Sequence, residues 1–316
     1  MARLVVLAGM VTDLIAMVKL PIMAGASQDA RPMQFEAGAS ANIMILAARL
    51  GLDVAALGAL GDDPPGRFLL DVLNSEHVDT AGVQIVPGSR SPLTLALIDS
   101  DAHQHVFIGN VGIGDSIAFD PVQSASVDAA DALYWQGYVL YETQIKPLVE
   151  PCLAAMRARQ RPVYFDSGPT LRSIPPDRIQ WAVRQSTIVR MTEDEIALVA
   201  AGLTGEDAYR YLLDQGVEAV IVSHGAAGST LIARDERVHV AGFAVPVVDT
   251  VGAGDSFNAA FLYGLLHHFN RADCLRLGNA AGAAAVQKSG AGRNVPTCAE
   301  IKAILRSSSF DLELPC

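Results

Sequence analysis

The sequence predicts an α/β protein: a mostly parallel sheet with helices on both faces, plus a small β appendage. Three observations carry this. Short β-branched runs alternate with helix-like stretches along most of the 316 residues, the pattern of strand–helix–strand units. Half of the residues are hydrophobic (51%) and 18% are charged, enough apolar material for a large core. Aromatic content is only 6%, while Ala, Gly, Val and Leu are plentiful. That mix suits helices packed closely on a buried parallel sheet.

Taken in order, strands are expected at Leu4–Leu7, Val54–Leu57, Ala132–Trp135, Pro162–Phe165, Ser186–Arg190 and Ala219–Ser223. Helix-like segments include Ala41–Leu50, Gly66–Glu76, Glu142–Arg159 and Glu193–Ala201. The opening MARLVVLAGMV is apolar but short, and Asp13 soon interrupts the apolar run. It reads as a buried first strand and not as a signal peptide. One stretch breaks the alternation. Pro92–Ile98 and His105–Ile108 are expected to be two strands joined by the turn-rich Asp99–Ala102, with further strands near Leu14–Leu20 and Met33–Glu36. No helices cover them. They read as a small β lid, built from residues about 14–20, 33–36 and 92–108 and inserted in a single domain of residues 1–316. A surface hairpin without function is the other reading.

Composition excludes several classes. The net charge of -11 repels a nucleic-acid backbone, and no Lys/Arg run makes a local exception. No apolar window is long enough for a transmembrane helix. Cys152, Cys274, Cys298 and Cys316 lack C-x-x-C spacing, which argues against a zinc site or a disulfide framework and fits a cytoplasmic protein. A dinucleotide-binding G-x-G-x-x-G is missing after the first strand, and no P-loop is present.

The most informative stretch is Val245-Pro-Val-Val-Asp-Thr-Val-Gly-Ala-Gly-Asp-Ser-Phe-Asn-Ala-Ala-Phe261. A strand-like run ends at Asp249, and Gly252-Ala253-Gly254 makes a small-residue turn. A helix comes next, with Phe257, Phe261 and Leu265 on its core stripe. The amides of such a turn, at the positive end of the helix dipole, form an anion hole. Asp255 at its mouth would repel a phosphate. It makes sense as a base that accepts a proton from an attacking hydroxyl, although a first-turn acid favoured by the dipole is the plainer reading.

Asp249-Thr-Val-Gly-Ala-Gly-Asp-Ser-Phe257 closely resembles the C-terminal signature of the ribokinase-like (PfkB) carbohydrate kinases, and other blocks match in order along nearly the whole chain. The resemblance implies a ribokinase-like three-layer α/β/α fold with a β-sheet lid. It also implies an ATP- and Mg2+-dependent kinase acting on a sugar hydroxyl, with Gly252, Ala253 and Gly254 as anion hole and Asp255 as base. Ala37-Gly38-Ala39-Ser40-Ala41-Asn42 resembles the N-terminal Gly-Gly…Asn signature, with Ala37 in place of the first Gly. By this resemblance Gly38, Ala39 and Asn42 hold the sugar together with Asp13. Residue type alone would make Asp13 a strand-end turn residue.

Ser223-His-Gly-Ala-Ala-Gly228 resembles the nucleotide segment, so Ser223, Gly225 and Gly228 are implied at ATP, with Asn279 lining the adenine side. Turns use such glycines freely. Thr192 and Glu195 fall where the family has Asn-x-x-Glu. Glu195 would act through water on magnesium, and Thr192 replaces the Asn. The same spacing is also a helix capping box. Many members bind a monovalent cation such as K+, which here would meet carbonyls of Asp249–Val251 and of 289–295. Lid strands in the family often pair two subunits, which implies a homodimer.

Two histidine pairs have plainer explanations. His267-His268 closes the helix after Asp255, where histidine is ordinary capping chemistry. His103 and His105 fall on the lid and are expected in solvent. A nucleoside kinase of the same family is the first alternative, and a non-catalytic sugar-binding homologue the second. Phe107 is the only aromatic in Pro92–Ile108, which favours a sugar or sugar acid over a nucleoside. Val11 and Gly137-Tyr138 weaken the case for ribose itself.

Overall fold

Apolar runs bounded by turn residues form the strands, and the computed structural model arranges them in two sheets. It describes residues 1–316 except 8, 26, 32, 100–104, 111–116, 142–145, 169–170, 309, 311, 313 and 316. The chain begins β1 Arg3–Leu7, β2 Met10–Val18, β3 Met33–Ala39, α1 Ser40–Arg49, β4 Asp53–Gly61, α2 Pro64–Ser75, β5 Val83–Val86, β6 Leu93–Asp99 and β7 His105–Asn110. It continues α3 Pro121–Asp128, β8 Ala132–Gln136, α4 Tyr138–Tyr141, α5 Lys146–Ala158, β9 Val163–Asp166, α6 Pro176–Gln185, β10 Ile188–Thr192, α7 Glu193–Val199 and α8 Gly205–Asp214. It ends β11 Ala219–Ser223, β12 Ser229–Ala233, β13 Arg237–Val240, α9 Ala253–Leu266, α10 Arg271–Ala285 and α11 Cys298–Ser307.

The large sheet has the order β13-β12-β11-β10-β9-β8-β1-β4-β5. It is parallel from β11 to β5, and β12 and β13 add an antiparallel edge. Alternation in β1 explains the layers: Leu4 and Val6 enter one apolar core, Val5 and Leu7 the other. Helices cover both faces, so the inner strands are apolar along most of their length.

The small sheet has the order β3-β2-β6-β7. Asp13 lies in the middle of β2, paired with Glu36 on β3 and Thr94 on β6. The second strand therefore begins at Met10, four residues before the expected Leu14, and Asp13 is neither an interruption of the first strand nor a turn residue. The expected turn at Asp99–Ala102 lies largely outside the described residues, as does His103.

Other expectations are corrected. Val245–Asp249 is no strand. Pro246 has no N–H to give a ladder, Val247 and Val248 are exposed, and the segment is tied instead by Val248 N donating to Val286 O (2.7 Å). The helix expected over Glu142–Arg159 is α5, Lys146–Ala158, with residues 142–145 outside the described ones. Cys152 and Cys274 are free and buried, but Cys298 is in a disulfide, against the expectation drawn from cysteine spacing. No helix among the described residues is long and apolar enough to cross a membrane.

Candidate active site

A cavity of about 1080 Å³ opens between the carboxyl ends of the central strands and the small sheet, where open parallel sheets bind ligands. Asp255 borders it from the first turn of α9. Its carboxylate is held on both oxygens: Asn42 Nδ2 donates to Oδ2 and Gln136 Nε2 donates to Oδ1, each at 2.7 Å. Asn42 is fixed in turn, since its Oδ1 accepts from Gly292 N (2.8 Å). Gln136 Oε1 accepts from Ser40 Oγ (2.9 Å). Burial, with Asp166 nearby, raises the Asp255 carboxyl from 3.8 to about 6, although the two amide donors and Arg190 pull the other way. Asp255 is thus ionised at neutral pH and more basic than a free carboxylate.

Gly252 caps α9 with a left-handed φ of 74°, a conformation that favours glycine. Ala253 N donates to Thr250 O (3.3 Å), so the donors left at this helix start are the amides of Gly252, Gly254 and Asp255. Beneath them is a buried cation. Arg190 packs against Gly254, where a Cβ would come within 3.2 Å of its guanidinium. It pairs with Asp166 (3.3 Å) and donates from Nε to Ser223 Oγ (2.9 Å). Asp166 also accepts from Asn258 Nδ2 at 2.7 Å.

Gln136, Asp166 and Arg190 form one register row across β8, β9 and β10. None of the three was singled out from sequence. The signal was available, because each is a polar side chain near the carboxyl end of a buried apolar strand.

Asp13 and Gly38, both expected at the sugar, lie against each other. A Cβ on Gly38 would lie 2.2 Å from Asp13 Oδ2, so only glycine lets this carboxylate lie against the β3 backbone. Burial, and then the Glu36 charge opposite, push the Asp13 carboxyl up to about 7. Glu36 is itself paired with Arg293, which donates from Nε to Oε1 (3.0 Å) and from its amide to the same oxygen (3.1 Å). Ala39 borders the cavity at φ 51°, a strained turn between β3 and α1.

The residues expected at the nucleotide are more dispersed. Thr192 and Glu195 form a full capping box: Thr192 N donates to Glu195 Oε2 (2.7 Å) and Glu195 N donates to Thr192 Oγ1 (3.4 Å). Glu195 still borders the cavity, whereas Thr192, Ser223, Gly225, Gly228 and Asn279 lie outside it. Asn279 is buried and its amide is spent on the protein. Oδ1 accepts from Ser229 Oγ (2.9 Å), and Nδ2 donates to Val240 O (3.0 Å) and Ala241 O (3.3 Å). It fastens α10 to the β12–β13 edge.

Asp249 ties the two loops beside α9: Oδ2 accepts from Gly290 N (2.8 Å) and Oδ1 from Val251 N (3.1 Å). No cluster of three or more His, Cys, Asp or Glu suited to a metal is found among the described residues. His267 acts as expected at a helix end, with Nδ1 against Tyr263 O (2.8 Å).

Residues 1–298 match the family described as pfkB family carbohydrate kinase. An aminoimidazole riboside kinase of Salmonella typhimurium is 30% identical over 93% of this chain and 97% of its own length. A 5-dehydro-2-deoxygluconokinase of Bacillus cereus is 27% identical over 94% of this chain and 95% of its own. Arabidopsis thaliana ribokinase, solved with ribose and ATP, shares the fold at a TM-score of 0.81 and 24% identity, over 97% of this chain and 99% of that one.

Proposed function

The chain belongs to the pfkB family of carbohydrate kinases, and from that premise we propose that it moves the γ-phosphoryl group of ATP to a hydroxyl of a sugar or sugar-derived molecule, with Asp255 as general base. The observation that carries this is the double amide clamp from Asn42 and Gln136 on a carboxylate whose own backbone N–H belongs to the α9 start. A base and an oxyanion-type donor set thus share one turn.

The acceptor lies between the central sheet and the small sheet, with Asp13 and Thr94 facing its hydroxyls. Asp255 takes the proton of the attacking hydroxyl as its oxygen bonds to phosphorus. The amides of Gly254 and Asp255 stabilise charge on the migrating group, with Gly252 setting the turn and Arg190 beneath adding a fixed positive charge. The nucleotide runs along the Ser223–Gly228 segment. Glu195 is a carboxylate on the cavity wall, the hard oxygen donor that Mg2+ prefers, and its backbone-anchored rotamer suits a water-mediated contact. Bound magnesium supplies neutralisation of phosphate charge. A monovalent cation, if one is used, belongs at the carbonyls of Asp249 and Val251. The small sheet acts as a lid that keeps water from competing with the acceptor.

The test is direct. Purified protein with ATP and Mg2+ is offered sugars, sugar acids and nucleosides one at a time, and ADP release is measured. Acceptor-dependent release supports the reading, and its absence across the whole panel overturns it.

A further inference from the structure

β8 ends at Gln136, and the chain turns at Gly137 into the short α4, which Tyr138 opens. The turn needs glycine, because a Cβ on Gly137 would lie 2.0 Å from Ser167 O. The Tyr138 ring passes the turn after β9, where a Cβ on Gly168 would come 3.9 Å from its Cε2. Two close backbone approaches thus set this ring on the cavity wall, with Gly168 next to it.

The Tyr138 hydroxyl has no hydrogen-bond partner among the described residues. Other buried or half-buried phenols do: Tyr134 donates to Asp166 Oδ2 (3.3 Å), Tyr164 to Asn258 Oδ1 (2.8 Å) and Tyr209 to Glu193 Oε1 (2.9 Å). Nor is the Tyr138 hydroxyl sealed in. The enclosed side-chain polar atoms that lack a partner, among the described residues, are Arg3 Nε and Ser256 Oγ. It therefore opens to solvent, and the charges acting on it tell on which side. After burial, Asp255, Asp166 and Asp13 bear on it in that order, and all three line the cavity. Together these influences push the phenol well above its usual value, so it stays an O–H donor at any working pH.

A donor complements this part of the wall. The carboxylates of Asp13 and Asp255 suit hydroxyls, which bring protons of their own. A ring or carbonyl oxygen brings none and gains nothing from a carboxylate. The neighbouring amides of Asn42 and Gln136 are engaged at both ends, with Asp255 at one and with Gly292 N or Ser40 Oγ at the other.

We propose that Tyr138 binds the acceptor, its hydroxyl donating to a proton-free oxygen of the sugar, the ring ether or the carbonyl, near the hydroxyl that Asp255 deprotonates. This rests on the kinase reading and deepens it. The acceptor is then a cyclic or keto sugar unit and not an open-chain polyol, and Tyr138 is a residue that tells the two apart.

Tyr138→Phe removes the oxygen and keeps the ring. No protein group loses a partner, so the unliganded variant should melt within about 2 °C of the parent. ADP release with ATP and Mg2+ is followed on ribose, fructose, a 2-keto-3-deoxy sugar acid and inosine, each of which carries such an oxygen. Ribitol and mannitol, which carry none, are added as competitors of the best acceptor. In the variant, KM for that acceptor should rise about 3- to 10-fold, the scale of one neutral hydrogen bond, with the change falling on KM more than on kcat. The inhibition constants of ribitol and mannitol should move by less than about 2-fold, since neither has the oxygen that this bond needs. An unaltered KM, an equal change for sugar and alcohol, or a melting temperature lower by more than about 5 °C overturns the proposal and leaves the kinase reading intact. ADP release with no member of the panel overturns the kinase reading, and this proposal with it.

Discussion

Replacing Asp255 by Asn is the sharpest perturbation of this centre. The carboxylate accepts from Asn42 and Gln136 at 2.7 Å each. An amide keeps the shape and one acceptor, but its NH2 group must face the other donor. That mismatch costs about 1–3 kcal/mol. Against it stands relief from burying a charge. The Asp255 carboxyl is raised from 3.8 to about 6, and at 1.36 kcal/mol per pH unit the ionised form costs the fold roughly 3 kcal/mol at neutral pH.

Proton binding fixes the sign. Below about 4 both folded and unfolded chains hold the proton and the cost is absent, and stability falls as pH rises through about 6. Asn never ionises and escapes that loss. The two effects nearly cancel, so the variant should fold with a stability within about 2 kcal/mol of the parent. Turnover should fall by about 10²–10⁴. ADP release, thermal unfolding and nucleotide binding are measured side by side. Near-normal turnover with nucleotide bound would refute Asp255 as the base. A melting temperature lower by more than about 10 °C would refute this balance of energies.

Three further outcomes are expected. kcat/KM should rise with pH through about 6 as Asp255 ionises, and Asn42→Ala, which removes a hydrogen bond that holds this carboxyl down, should move the midpoint upward; a flat profile between about pH 5 and 8 would contradict the assignment. Arg190→Met leaves Asp166 buried without its cation and should cost about 3–5 kcal/mol in urea unfolding, whereas adding Asp166→Asn should recover part of it; strict additivity would show that the pair is not coupled. Gly137→Ala would put a Cβ 2.0 Å from Ser167 O, so it should lower stability by about 1–3 kcal/mol or more, read as a drop in melting temperature.

Much of the fold was legible because it depends on local pattern. β11 spans Ala219–Ser223, the expected residues, since a short apolar run between turn residues leaves little choice. The lid was found from the lack of helices between its strands. β5 and the β12–β13 edge were missed, being short or polar: Arg237–Val240 alternates exposed and half-buried positions and carries little apolar signal. Val245–Asp249 misled for the opposite reason. It has β-branched residues but no neighbour to pair with once β13 closes the sheet. In the site, Asp255 was legible through its turn. Its partners were less so: Asn42 was a site candidate but not as its partner, and Gln136 and Arg190 were not candidates, because all three approach it only through strand register and helix docking across separations of 213, 119 and 65 residues.

On the proposed mechanism, the two raised carboxyls give one cavity two roles for the same side-chain type. Asp255 and Asp13 are both desolvated, which alone would push them up together. What separates them is their partners. Asp255 has two amide donors and the Arg190 charge to favour ionisation, and it settles at about 6. Asp13 has Glu36 across the β2–β3 pair, a like charge that resists ionisation, and it settles at about 7. On that mechanism, the donors around Asp255 keep it ready to take a proton, while the like charge beside Asp13 favours its protonated form, which can donate to an acceptor hydroxyl. Environments that push paired acids apart in this way distinguish base from binder. The Thr192 departure leaves this arrangement untouched. Its hydroxyl serves the same helix start that anchors Glu195.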